Sequence, residues 1–136
     1  MAKRALKTKL KVNDTAVAGL TSIGGLELSA DTIDVTTLDS DGGYREFIQG
    51  FKDGGEVSIE GFFDPAKYGE GQTTLYDLFE SGDVTPFKIE FPPEMKASWK
   101  FDGVVTGYGT SASLEDPLAF NGSIKVSGKP ELVIEA

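Results

Sequence analysis

The chain has 136 residues, 39% hydrophobic and 10% aromatic, which suits one domain with a radius of gyration of ~14 Å and a core that needs no staples. It has no His and no Cys, which excludes the usual zinc sites, Ser-His-Asp triads, thiol nucleophiles and His- or Cys-ligated haem and iron–sulfur centres. The net charge of −9 speaks against a protein that grips nucleic acid, because phosphate binding draws its affinity from Lys and Arg.

The chain opens on a basic arm, residues 1–12, with Lys3, Arg4, Lys7, Lys9 and Lys11 and no acid. The remaining residues therefore hold −14. One reading is a solvated terminus; the other is an arm that docks on an acidic surface of another copy. No apolar stretch follows that would serve as a signal peptide, and none approaches the ~18 residues of a membrane helix, so a soluble, cytosolically made protein is expected.

Period-2 patterns then dominate. Leu10 and Val12 alternate with Lys9 and Lys11, Leu26 and Leu28 flank Glu27, and Ile33 and Val35 flank Asp34. Residues 39–52, DSDGGYREFIQGFK, fit neither period and are long for a connection in a compact domain, so a functional loop is expected there. Its Tyr44, Arg45, Phe47, Ile48 and Phe51 have the composition of an interface core; the alternative is that they fold back under the loop. Val57, Ile59 and Phe63 share one strand face and Glu56, Ser58 and Glu60 the other.

Residues 71–82 switch to helical spacing. Leu75, Leu78 and Phe79 fall at i, i+3 and i+4, with Thr73 or Thr74 as N-cap and Gly82 as the terminator, a helix of roughly two turns. Strands resume with Phe87, Ile89 and Phe91, then with Ala97, Trp99 and Phe101 facing the core and Lys96, Ser98 and Lys100 outside. Ile124 and Val126, and Leu132 and Ile134, complete the pattern, with turns expected at Gly24-Gly25, Asp53-Gly54-Gly55 and Asp102-Gly103. The fold expected is mainly β: a β-sandwich or open barrel of about eight strands with one short flanking α-helix.

Motifs for chemistry fall short. Asp39-Ser40-Asp41 opens like a calcium loop, but Gly43 and Gly50 stand where ligands are needed, and Gly69-Glu70-Gly71 lacks the Lys-Ser/Thr of a phosphate loop. Glu56 and Glu60 lie ~13 Å apart on one strand face, beyond the ~5–9.5 Å of a glycosidase pair. No catalytic residue, cofactor or metal site is expected. A carbohydrate- or receptor-binding module is the competing function class, but the single Trp lies on the face read as core.

The run from Ala30 through Phe63 carries a resemblance. Ile33-Asp34-Val35-Thr36-Thr37-Leu38-Asp39 leads into the Gly-, Arg- and aromatic-rich segment, then Gly50-Phe51-Lys52-Asp53-Gly54-Gly55-Glu56-Val57-Ser58 forms a turn and strand. Followed by TTLYDLFESGD and PFKIEFP, this order resembles the tail tube proteins of long-tailed, non-contractile bacteriophages, in a compact form without an immunoglobulin-like C-terminal domain. The resemblance implies a structural virion protein, not an enzyme, whose homo-hexameric rings stack into the tail tube. It further implies tape measure and other tail proteins as partners, double-stranded DNA crossing the lumen without specific binding, no membrane association, and a virion tail assembled in the bacterial host cytoplasm. The residues expected at subunit interfaces are Tyr44, Arg45, Phe47, Ile48 and Phe51 in the 39–52 segment and Lys3, Arg4 and Lys7 in the arm.

Overall fold

A computed structural model describes residues 8–13, 15–24, 26–68, 71–115 and 117–134. In chain order the strands are β1 Lys9–Val12, β2 Thr15–Val17, β3 Leu20–Ile23, β4 Ser29–Asp34, β5 Phe47–Asp53, β6 Glu56–Phe62, β7 Thr85–Glu90, β8 Ala97–Ser111 and β9 Ala119–Ile134. Helices α1, Pro65–Tyr68, and α2, Gly71–Ser81, lie between β6 and β7. Seven strands form one antiparallel sheet in the order β2-β1-β7-β8-β9-β6-β3, and β4 and β5 pair as a separate two-stranded ribbon.

The topology forces the sheet to curl. Its two edges, β2 and β3, are consecutive in the chain and joined only by Ala18 and Gly19. A link of two residues spans at most ~7 Å, so at that end the edges nearly meet and the sheet becomes a nearly closed barrel. Accordingly Val17 of β2 and Ile59 of β6 belong to one core with Leu10, Phe87, Phe120 and Ile124. Phe87 stacks on Phe101 at 5.7 Å across the β7–β8 pair.

Helix α2 seals the gap. Leu75 is fully buried, and Tyr108 of β8 donates its hydroxyl hydrogen bond to the Gln72 carbonyl at 3.1 Å. The Gln72 side chain, also fully buried, accepts from the Asp64 N–H at 3.0 Å and donates to the carbonyls of Ala18 at 2.9 Å and Phe62 at 2.7 Å. One amide thus ties the β2–β3 link to the end of β6. Gly71 lets the helix approach: a Cβ there would lie 2.5 Å from the Ala16 carbonyl oxygen. Gly71→Ala is expected to cost roughly 1–3 kcal/mol, the range for overpacking; urea unfolding within 0.5 kcal/mol of the parent, the usual band for an inert surface change, would contradict the close approach.

Several expectations are corrected. The nine strands among the described residues fit the expected mainly β architecture of about eight, but the strands differ in detail: β2, β3 and β5 were not expected, and the runs at Ile124 and Leu132 are one strand, β9. Residues 26–28 belong to no strand, and the strand begins at Ser29. Asp102-Gly103 is no turn but lies within β8, where a Cβ on Gly103 would lie 2.6 Å from Ile124 Cγ2, so glycine serves packing there. Ser98, expected outside, is buried; it pairs with Glu90 on one side and Val133 on the other. Trp99 does pack against the core as expected, though only half-buried, beside the exposed Leu132.

The α2 helix begins at Gly71 rather than at a Thr cap and has 11 residues, three turns rather than two. It ends as expected at Gly82, whose φ of +73° suits glycine and whose N–H reaches the Leu78 carbonyl at 2.9 Å. Of its stripe, Leu75 is buried, Leu78 half-buried and Phe79 exposed. The expectations at Gly25 and at Gly69-Glu70 lie outside the described residues.

Candidate assembly site

The stretch expected to be a loop is mostly a β-hairpin. Residues 47–52 belong to β5, which pairs with β4, and only residues 35–46 form the connection. Every residue of β4 is exposed, and so is all of β5 except Gly50. A ribbon wetted on both faces needs no alternation of apolar and polar residues, which is why residues 39–52 showed no period. Between Ala30 and Thr32 the register shifts, so that Gly50 and Phe51 both stand against Asp31. Such a bulge re-aims side chains and increases local twist.

Apolar side chains concentrate on this hairpin. Phe51 is 91% exposed, Tyr44 78% and Phe47 54%, and Ile33 and Ile48 stand directly opposite each other on its surface. They do not fold back into a satellite core. Leu28, Val35 and Leu38, beside or between these strands, are exposed as well, whereas the alternation around Glu27 and Asp34 had placed Leu28 and Val35 toward the core.

The tip is held by its own polar groups. Arg45 Nη1 donates to Asp34 Oδ2 at 2.8 Å, so Arg45, expected at an interface, also braces the hairpin from within. Thr36 N–H donates to Asp34 Oδ1 at 2.9 Å, Glu46 N–H to Thr36 Oγ1 at 2.7 Å, and Ser40 Oγ to Glu46 Oε2 at 2.8 Å. Gly42 and Gly43, at φ of +65° and +75°, supply the left-handed backbone of the turn. Asp34 and Glu46 are thereby engaged, whereas among the described residues the carboxylates of Asp39 and Asp41 make no hydrogen bond or ion pair.

A second surface lies on the outer face of the main sheet. The register places Lys11, Lys88 and Lys100 side by side across β1, β7 and β8, with Glu131 of β9 next in the row. Like charges directly opposite one another are destabilising. Glu90 offsets part of this, its Oε1 accepting from Lys11 at 2.9 Å and Lys88 at 3.1 Å. Lys100 and, nearby, Lys129 take no ion pair among the described residues. These lysines border a cleft of about 430 Å³ together with Pro86, the edges of Phe87 and Phe101, and the carboxylates Asp102 and Glu131. Lys129 also borders a larger cleft of about 820 Å³ between the hairpin root and β9. Among the described residues no group of three or more His, Cys, Asp or Glu is placed to hold a metal.

Three carboxyls are held below the usual range. Hydrogen bonds from Thr36, with Arg45 adding, lower Asp34; Lys125, at 2.7 Å, and the Gly55 N–H lower Asp53; Lys11 and Lys88 lower Glu90. Each binds its proton less readily folded than unfolded. Its contribution is therefore complete above the ordinary carboxylate pKa and is lost as pH falls through the lower folded value. Two of the three lie on the hairpin. Titration from neutral to about pH 3, below the ordinary carboxylate values, is expected to weaken the β4–β5 cross-strand NMR contacts before those of the β8–β9 pair; simultaneous loss would contradict this.

Of the expected interface residues, Tyr44, Arg45, Phe47, Ile48 and Phe51 are brought together on one hairpin. Lys3, Arg4 and Lys7 lie outside the described residues. The lysine row escaped the sequence reading because only the strand register sets Lys11, Lys88 and Lys100 abreast.

The family described as "Lambda phage tail tube protein, TTP" matches residues 7–133. Among solved structures the chain is similar to a component of the virion of a native gene transfer agent particle, with a TM-score of 0.80 and 20% identity over 97% of this chain and 99% of the other. It is also similar to a chain in the tail of an empty gene transfer agent particle refined with C6 symmetry, at 0.77 and 22%, covering 99% and 100%. A chain of the SPP1 tail tube follows at 0.65 and 13%, covering 93% and 77%. No curated protein matches the chain.

Proposed function

Because this chain belongs to the lambda phage tail tube protein family, we propose that it works by self-assembly alone: copies close into six-membered rings, and the rings stack into the hollow tube of a virion tail. The observation that carries this reading is the hairpin, whose exposed Phe47, Ile48, Phe51 and Tyr44 are too extensive an apolar surface for a monomer to leave in water. A ring needs a heterologous contact, in which one patch meets a different patch on the next copy. The hairpin is one such patch.

Six copies at −9 each carry −54 charges. Hydrophobic burial must outweigh that repulsion, which salt screens beyond ~8 Å. An acidic wall also suits a conduit for double-stranded DNA, since a cationic one would hold the phosphates by counterion release. Tape measure and other tail proteins are the further partners, and the host cytoplasm is the place of assembly.

Negative-stain electron microscopy of the concentrated protein, with light scattering on the same sample, tests the reading. Six-fold rings or hollow tubes are expected; a monomer at every concentration and ionic strength would sink it. Deleting residues 1–7, which carry Lys3, Arg4 and Lys7, is expected to slow stacking and flatten its dependence on salt. Scattering kinetics that keep the parent's salt dependence would remove any role for the arm.

A further inference from the structure

We propose that the lysine-bordered cleft on the outer face of β1, β7 and β8 is the socket for the hairpin tip of a second copy, which inserts Leu38 flanked by Asp39 and Asp41. This deepens the self-assembly reading and rests on it, since it names the surface that the hairpin meets.

Charge complementarity is the first support. Lys100 and Lys129 border the cleft without an ion pair, and at the tip Asp39 and Asp41 have no partner among the described residues. The cleft also holds Asp102 and Glu131, against Lys11, Lys88, Lys100 and Lys129, so its lining keeps an excess of two cations, and the tip offers two carboxylates. Within a chain of net charge −9, the row Lys11, Lys88 and Lys100 is a local concentration of the opposite sign, kept despite its self-repulsion. An acidic partner removes that cost.

Shape and apolarity agree. The cleft, about 430 Å³, is bordered by the exposed Pro86 and by Lys88 and Lys100, whose aliphatic stems can pack against one leucine side chain, while Phe87 and Phe101 are core residues that leave it only 3% and 5% of their surface. Leu38 is fully exposed, at 106% of its reference area, and lies next to Asp39. The tip also comes ready-shaped. The bonds from Thr36, Arg45 and Ser40 that hold Asp34 and Glu46 fix the loop before it meets anything, which lowers the ordering cost of docking. Leu114 with Glu115 offers similar chemistry, but it lies in the short connection between β8 and β9, whereas the hairpin is a separate ribbon that reaches away from the barrel.

Two experiments on the full chain decide. In the first, Lys100→Glu with Lys129→Glu is expected to lower the pelletable fraction at least tenfold, and adding Asp39→Lys with Asp41→Lys to the same chain to restore it. Both lysines are exposed, so the variants fold. In the second, the absence of cysteine makes an introduced thiol report only contact between copies. Assemblies mixed from Leu38→Cys and Lys100→Cys chains are expected to form disulfide-linked dimers on oxidation. Mixtures of Leu38→Cys with Asp77→Cys, on the exposed side of α2, should not. An unchanged pelletable fraction, rescue by reversing Asp77 and Glu80 instead, or crosslinking of Leu114→Cys in place of Leu38→Cys overturns the socket. If the socket variants assemble while a variant lacking the hairpin phenylalanines does not, the self-assembly reading stands and this inference falls. If the parent chain never assembles, both fall.

Discussion

Replacing Phe47 and Phe51 together by serine is expected to yield a well-folded monomer that forms neither rings nor tubes. Both side chains are largely exposed on a ribbon outside the main core, so their loss leaves that core untouched, and surface changes of this kind usually move stability by less than ~0.5 kcal/mol. At an interface the balance reverses. Aromatic anchors are the residues whose truncation costs ≥ ~2 kcal/mol each, and two of them together amount to roughly a thousandfold in each contact's association constant, a tenfold per ~1.4 kcal/mol. Because every ring repeats the contact, assembly should vanish rather than weaken. Sedimentation velocity with circular dichroism separates the cases: a folded protein sedimenting at monomer size is expected, and tubes at parent concentrations would show that the hairpin is not the assembly element.

Gln72→Ala is expected to be the most damaging single change to the fold. It opens a cavity at a fully buried site and strips the Ala18 and Phe62 carbonyls and the Asp64 N–H of the partner that Gln72 gives them. These bonds are part-buried, so each orphaned group costs toward the low end of about 1–3 kcal/mol, and with the cavity left by the fully buried side chain a loss of roughly 3–5 kcal/mol is expected. That is a large part of the ~5–15 kcal/mol by which such a domain is stable. Denaturant unfolding of dilute, unassembled protein measures it. A loss below ~1 kcal/mol, the size of a single typical hydrogen bond, would show that the amide does not close the barrel.

The core strands were legible because one wet face and one dry face write a period of two into the sequence. Val57 and Ile59 against Glu56 and Glu60, or Phe87 and Ile89 with Lys88 between them, needed no further information. The hairpin was illegible as strand for the opposite reason: with both faces wet, Phe47 and Ile48 are adjacent rather than alternating, and only pairing with β4 reveals the register. Gln72 gave no signal, since a glutamine on a short helix reads as solvated, and its role depends on an edge of the sheet 54 residues away. The interface candidates Tyr44, Phe47, Ile48 and Phe51 were found through composition, which survives the error about their backbone. Leu38 and the lysines abreast on β1, β7 and β8 required positions in space.

The order of strands in the barrel also sets when it is able to form. β1 pairs with β7, whose first residue comes 73 positions after the end of β1, and β6 must wait for β9, the last strand. At ~5–20 residues per second, β1 spends roughly four to fifteen seconds of synthesis paired at most with the short β2, without β7 on its other edge. Nothing before β9 is a closed unit, since β9 sits between β8 and β6 and supplies Phe120 and Ile124 to the core. A chain released early therefore lacks the middle of its sheet and presents no finished barrel to its neighbours. Synthesis through β9 becomes the quality check on each subunit, applied by topology before any copy reaches a growing polymer.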